Sequence, residues 1–199
     1  MLTALQVETA VNFIAAFVYT KSIAEYKKNP KSKTILQLRY ADWVFTTPLL
    51  LLSLSLFLFK YDKSSKTEEP PRWLLGLTLS AAVAMCVVGY RAELNRDVRL
   101  AGVSFVVLVA AFAMLSTHAT YGINLHEQLT AYLIVAFLWC CYGFVWFMKN
   151  EQKRHIAYNS IDLLSKFSLL RFTSKNVRPI GTTAKLFCFH IILSARSML

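Results

Sequence analysis

With 199 residues, 56% of them hydrophobic, only 6 Gly and 5 Pro, and a mean hydropathy of +0.44, the chain is too apolar for a soluble domain of its size. The 22 basic and 11 acidic residues leave a formal charge of +11. They fall in loops and tail rather than on one face with interleaved aromatics, which excludes a nucleic-acid partner and points to anionic lipid headgroups. Cys86, Cys140 and Cys141 lie in apolar runs, and with Cys188 they lack zinc-site spacing. His118, His126, His155 and His190 show no partner pattern, so neither a metal site nor a disulfide is expected.

A bilayer-crossing helix needs about 20 mostly apolar residues, with a range of roughly 17–25. The expected spans, in chain order, are 4–26, 38–59, 73–91, 98–117, 129–148 and a shorter sixth at 155–171. Charged and breaker-rich connections separate them, including Pro70-Pro71 before the third. The predicted fold is an all-α polytopic membrane bundle with six recognisable spans, occupying 1–171. Residues 172–199 read as a basic tail in which the 186–193 run is too short to span and lies at the interface. The N-terminus has no charged segment ahead of an apolar core, so no cleavable signal peptide is expected. Lys and Arg are balanced between the two sets of loops, so charge asymmetry assigns no orientation.

Ionisable groups at membrane depth cost several kcal/mol and mark function, usually with a partner of opposite sign. In the second span Arg39 and Asp42 are spaced i,i+3 and Asp42 and Thr46 i,i+4. Ser53 follows eleven residues after Asp42, about 16 Å further along nearly the same face. The third span carries Met85 and Gly89 one turn apart, the glycine being suited to close approach. In the fifth, Trp139, Tyr142 and Trp146 form an i, i+3, i+7 stripe, which is either helix packing or an aromatic wall. In the sixth, Asp162 and Lys166 share a face at i,i+4.

Two readings of this last pair stand open. Lys166 either snorkels to an interface beside its salt-bridge mate Asp162, or it is a buried amine suited to Schiff-base formation. In the second case Asp42 and Asp162 favour the cation, and Arg39 keeps both carboxylates ionised. Glu8, Asn12, Lys21 and Asn159 add polar groups to the spans, as either a hydrated ion path or interfacial positions.

The run Arg39-Tyr40-Ala41-Asp42-Trp43-Val44-Phe45-Thr46-Thr47-Pro48, followed by four leucines, closely resembles the third helix of microbial (type 1) rhodopsins. Ile161-Asp162 with Lys166 resembles their seventh helix, and Trp139, Tyr142 and Trp146 their sixth, with Gly143 where many members have proline. The resemblance covers about 1–170 and implies a photoreceptor rather than an enzyme. It implies all-trans retinal joined to Lys166 as a Schiff base, Asp42 as primary counterion and proton acceptor, and Asp162 as second counterion. Arg39 would lie on the extracellular side of them. Trp43, Thr47, Met85, Gly89, Trp139, Tyr142 and Trp146 would line the retinal pocket, with Thr46 in the same group.

In proton pumps of the family the position of Ser53 is usually an acidic donor. Asp42, Thr46 and Ser53 form an Asp-Thr-Ser triplet resembling the viral rhodopsins of giant algal viruses, whose first branch is associated with light-gated cation conduction. The implied function is a light-gated cation channel with Arg39, Ser53, Glu8 and Asn159 along the ion path. The alternatives are a slow proton pump with Glu8 as substitute donor, a non-transporting photosensor, or a structural membrane protein without retinal. The implied partners are retinal, the bilayer and monovalent cations or protons, with a homo-oligomer left open. The first span resembles the family's second helix, with Tyr19 and Tyr26 in familiar places, so the family's first helix is expected to be missing upstream of Met1.

Overall fold

A computed structural model describes residues 3–30, 32–59, 72–120 and 126–175. The described residues form six helices: α1 (Ala4–Lys28), α2 (Lys33–Phe59), α3 (Arg72–Asn95), α4 (Val98–Thr120), α5 (His126–Trp146) and α6 (Glu151–Lys175). Their ends follow from local chemistry. Thr3 and Gln6 form a reciprocal capping box that opens α1, and Lys27 and Lys28 sit in its last turn, where the helix dipole favours cations. Between α3 and α4, Arg96 takes a left-handed backbone conformation (φ 55°). The Asp97 carboxylate then accepts from the Arg99 and Leu100 amides at 2.8 and 3.3 Å, which caps α4. Asn150 does the same for α6 through the Lys153 amide at 3.0 Å.

Sequence neighbours pack against one another, α6 returns to α1, and α2 touches each of the other five helices. Its C-terminal half carries the apolar core: Leu50, Leu51, Leu54 and Leu58 meet Val11 of α1, Leu108 and Leu115 of α4, Val135 of α5 and Leu169 of α6. Lipid tails are as apolar as leucine, so association within a bilayer leans on packing and on hydrogen bonds between helices. Such bonds include three from side chains to carbonyls of neighbouring helices. Ser104 of α4 donates to the Met85 carbonyl of α3 at 2.9 Å, Tyr132 of α5 to the Phe112 carbonyl of α4 at 2.9 Å, and Gln128 of α5 to the Leu58 carbonyl of α2 at 3.1 Å. Phe13, Phe17, Val106, Phe137 and Phe144 point outward instead.

Among the described residues, α2, α3, α4 and α5 contain stretches long and apolar enough to cross a membrane. The helices α1 and α6, also expected to span, have 25 residues each and so reach about 38 Å, ample for the length of a span. They fall short on apolarity because their inner faces carry charge: Glu8 in α1, and Arg154, His155, Asp162 and Lys166 in α6, are all buried. The sixth helix also runs past the expected end at 171, with buried Thr173 still bonded to the Leu169 carbonyl at 3.1 Å. The expected interfacial run at 186–193 lies outside the described residues.

Candidate functional site

The burial of Lys166 bears on the first of the two readings of its pair. Its side chain sits on the inner face of α6 and the residue is 2% exposed, so it does not snorkel. Nζ lies 2.6 Å from Asp162 Oδ2 on its own helix and 2.8 Å from Asp42 Oδ2 on α2. One ammonium is therefore shared by two buried carboxylates, the arrangement in which charge can be held at membrane depth. Tyr19 of α1 donates a short hydrogen bond to Asp162 Oδ2, and Tyr142 of α5 donates to Asp162 Oδ1 at 3.3 Å. Asp162 is thus fixed from three sides. Asp42 keeps Oδ1 without a protein partner among the described residues.

A cavity of about 350 Å³ leads away from this centre and ends on Asp162. Its walls include Trp43 and Thr47 of α2, Met85 and Gly89 of α3, and the full Trp139, Tyr142, Trp146 stripe of α5. The stripe is therefore a wall as well as packing. Trp43 meets Tyr142 edge-on at 5.0 Å and Tyr158 at 5.6 Å, while Tyr142 and Tyr158 stack at 5.8 Å. A Cβ on Gly89 would meet Ser104 Oγ at 3.1 Å and Tyr40 Cε1 at 3.4 Å, so glycine permits both the α3–α4 approach and the cavity. A Cβ on Gly143 would meet the Phe105 ring at 3.0 Å, so the aromatic ring takes the space that a larger residue there would fill. Tyr40, Cys86, Phe105 and Tyr158 also line the cavity and were missed in the sequence, where they look like ordinary apolar positions.

Other expected site residues lie elsewhere. Thr46 is fully buried but off the cavity, its hydroxyl donating to the Asp42 carbonyl at 2.9 Å. Ser53 is buried three turns along the same face, donating to the Ala4 carbonyl at 3.3 Å. Glu8 of α1 is 0% exposed, with the Ser53 hydroxyl beside its carboxylate and Lys166 within electrostatic reach. Asn159 lines a small cavity of about 20 Å³ together with Tyr19, Ser22, Arg39, Asp42 and His155. Lys21 takes the interfacial alternative: it is exposed, with its ammonium 5.5 Å from the Phe17 ring.

Arg39 is a correction. Rather than pairing with Asp42 or Asp162, its guanidinium places Nη2 2.6 Å from Glu93 Oε1 and Nη1 2.8 Å from His155 Nδ1. Its Cζ sits 4.4 Å from the centre of the Tyr158 ring, a cation–π contact. Glu93 also accepts from the Tyr40 hydroxyl at 3.0 Å and has Arg154 Nε at 3.4 Å. His155 therefore has a partner that the sequence did not suggest. The available signals were weak ones: Glu93 lies one turn beyond Gly89 on α3, and His155 lies three turns before Lys166 on α6.

The model of the bacteriorhodopsin-like protein family matches residues 3–175 of this chain. Searches of curated proteins and of solved structures returned no match. The family implies a retinal chromophore, and the residues present fit such a group. The cavity volume falls within the roughly 300–1,000 Å³ of ligand pockets, its walls are aromatic, and it ends at a carboxylate bonded to a buried lysine. The apolar helices and the family match make this a membrane protein. The chain belongs to the bacteriorhodopsin-like family of retinal-binding, light-responsive membrane proteins.

Proposed function

We propose that Lys166 carries all-trans retinal, that Asp42 and Asp162 are its counterions, and that the chain is a light-gated cation channel built from six membrane-crossing helices. Retinal, when bound, supplies light absorption and the change of shape that starts the cycle. The protein supplies the rest. Lys166 Nζ faces Asp42 Oδ2 at 2.8 Å, short enough for Asp42 to take its proton, while the Tyr19 and Tyr142 hydroxyls keep Asp162 an acceptor. Trp43, Trp139 and Tyr142 would confine the chromophore side to side, with Asp162 beside its Lys166 end.

The observation that carries the channel reading is the buried polar line on α2. Arg39, Asp42, Thr46 and Ser53 are all buried on one wall, and Glu8 of α1 joins it beside Ser53. A pump must reload its lysine from one side, and the hydroxyl of Ser53 is a poor proton donor for that task. Buried polar groups with unfilled hydrogen-bonding capacity, such as the Glu8 carboxylate and Asp42 Oδ1, favour hydration and cation passage. Glu8 also supports the second reading, a slow proton pump in which its carboxyl replaces the missing donor.

Whole-cell recording under light separates the two. A photocurrent that reverses with the cation gradient is expected. A unidirectional outward current insensitive to that gradient would select the pump, and the absence of current in a coloured protein would leave a photosensor. Glu8→Gln is expected to change the size or selectivity of the channel current, whereas in a pump it would slow the recovery of colour.

A further inference from the structure

The cluster around Arg39 contains a titratable group to which the proposed transport gives no task. His155 is 8% exposed, and its Nδ1 lies 2.8 Å from Arg39 Nη1. A guanidinium has five N–H donors and no acceptor, so the contact exists only if Nδ1 carries a lone pair. The ring is then neutral, with its proton on Nε2, the nitrogen that faces Glu151 Oε1 at 3.9 Å. Charged groups surround the ring from every side: Arg39 of α2, Glu93 of α3, and Glu151 and Arg154 of its own helix. Across the small cavity it meets Asp42 of α2, Tyr19 and Ser22 of α1, and Asn159 of its own helix.

A proton added to Nδ1 removes the lone pair and sets two cations 2.8 Å apart. Arg39 must then give up that contact. Its other amine stays on Glu93 at 2.6 Å, which leaves the guanidinium a pivot. Asp42 lines the same small cavity, its Oδ1 without a hydrogen-bond partner among the described residues. At about 20 Å³ that cavity, which both residues line, is large enough for about one water, a bridge between a turning Arg39 and Asp42.

We propose that His155 is a positioning residue for Arg39: neutral, it holds Arg39 on Glu93 and away from Asp42, and protonated, it releases Arg39 toward Asp42. The charge balance at Lys166 then responds to acidity at the Arg39 end of the bundle. This rests on the assignment of Lys166 and Asp42 as the retinal site.

Nitrogen-15 spectra of histidine-labelled full chain, recorded without retinal across a pH series, read the ring directly. Gln variants of His118, His126 and His190 identify the His155 signal by elimination, so the assignment does not need a folded His155 variant. An unprotonated Nδ1 that titrates as one step is expected, and a proton on Nδ1 in the neutral ring would overturn the proposal. In the retinal-loaded protein, the visible band should shift in two steps as pH falls. His155→Gln keeps an acceptor for Arg39 but cannot titrate, so it should lose one of those steps while matching the parent at high pH. An unchanged two-step titration in His155→Gln would also overturn the proposal. If the parent chain forms no visible band at all, the retinal reading fails instead, and the nitrogen-15 series still decides the Arg39–His155 bond.

Discussion

The two buried charge clusters are built on the same plan with opposite sign. At one, the single cation Lys166 bridges two carboxylates, Asp42 and Asp162. At the other, the buried carboxylate Glu93 bridges two guanidinium groups, Arg39 and Arg154, with a hydroxyl from Tyr40, while the exposed Glu151 lies 3.8 Å from Arg154. In each, the central ion satisfies two like charges that would otherwise repel in a low-dielectric interior, so losing the centre is worse than losing either flank. The clusters differ in what lies beside them. Asp162 of the first cluster lines the 350 Å³ cavity with aromatic walls, whereas Arg39 of the second lines only the cavity of about 20 Å³, which it shares with Asp42, and packs on the Tyr158 ring. The first adjoins a cavity of ligand size, and the second joins α2, α3 and α6.

That contrast can be broken in order of effect. Glu93→Ala should be the most destabilising, by about 3–5 kcal/mol, because it removes the carboxylate from buried Arg39 and leaves buried Arg154 only the exposed Glu151 and the Met148 carbonyl. An unfolding titration in mixed micelles measures it, and a change below about 1 kcal/mol would remove the bridging role. Asp42→Asn leaves Lys166 its shorter bond to Asp162, so the loss should be nearer 1–3 kcal/mol in the same titration. Its larger consequence is optical, a red-shifted band from the weakened counterion.

Gly89→Val puts new atoms against Ser104 and Tyr40 and should cost about 1–3 kcal/mol while lowering the yield of coloured protein. A yield equal to the parent's would place the chromophore elsewhere. Tyr142→Phe removes one 3.3 Å bond to Asp162 and keeps the ring wall, so a loss of about 0.5–1.5 kcal/mol is expected with colour retained. A loss as large as that of Glu93→Ala would mean that Tyr142 holds the site together.

The sequence revealed the Lys166 cluster far better than the Arg39 cluster, for a physical reason. Asp162 and Lys166 are one helical turn apart, and the wall from Arg39 to Ser53 follows helical periodicity, so both are local patterns. The Arg39–Glu93 and Arg39–His155 contacts join residues 54 and 116 positions apart, and no local period encodes them. In sequence the carboxylate nearest to Arg39 is Asp42, at i,i+3, whereas α3 brings Glu93 to 2.6 Å from its guanidinium. The same limit applies to α1 and α6: their inward charges lower the apolar signal that marks a span, although both helices are long enough. The aromatic stripe of α5 was visible as a stripe, but whether it faced a core or a cavity depended on Gly89 and Phe105 arriving from α3 and α4.

The covalent role of Lys166 is tested most directly by adding all-trans retinal to the purified chain, reducing with borohydride, and mapping the retinyl group by mass spectrometry. The predicted result is a visible band before reduction and a retinyl group on the peptide containing Lys166, with neither present in Lys166→Ala. A band that survives Lys166→Ala, or a retinyl group mapped to another lysine, would contradict the assignment.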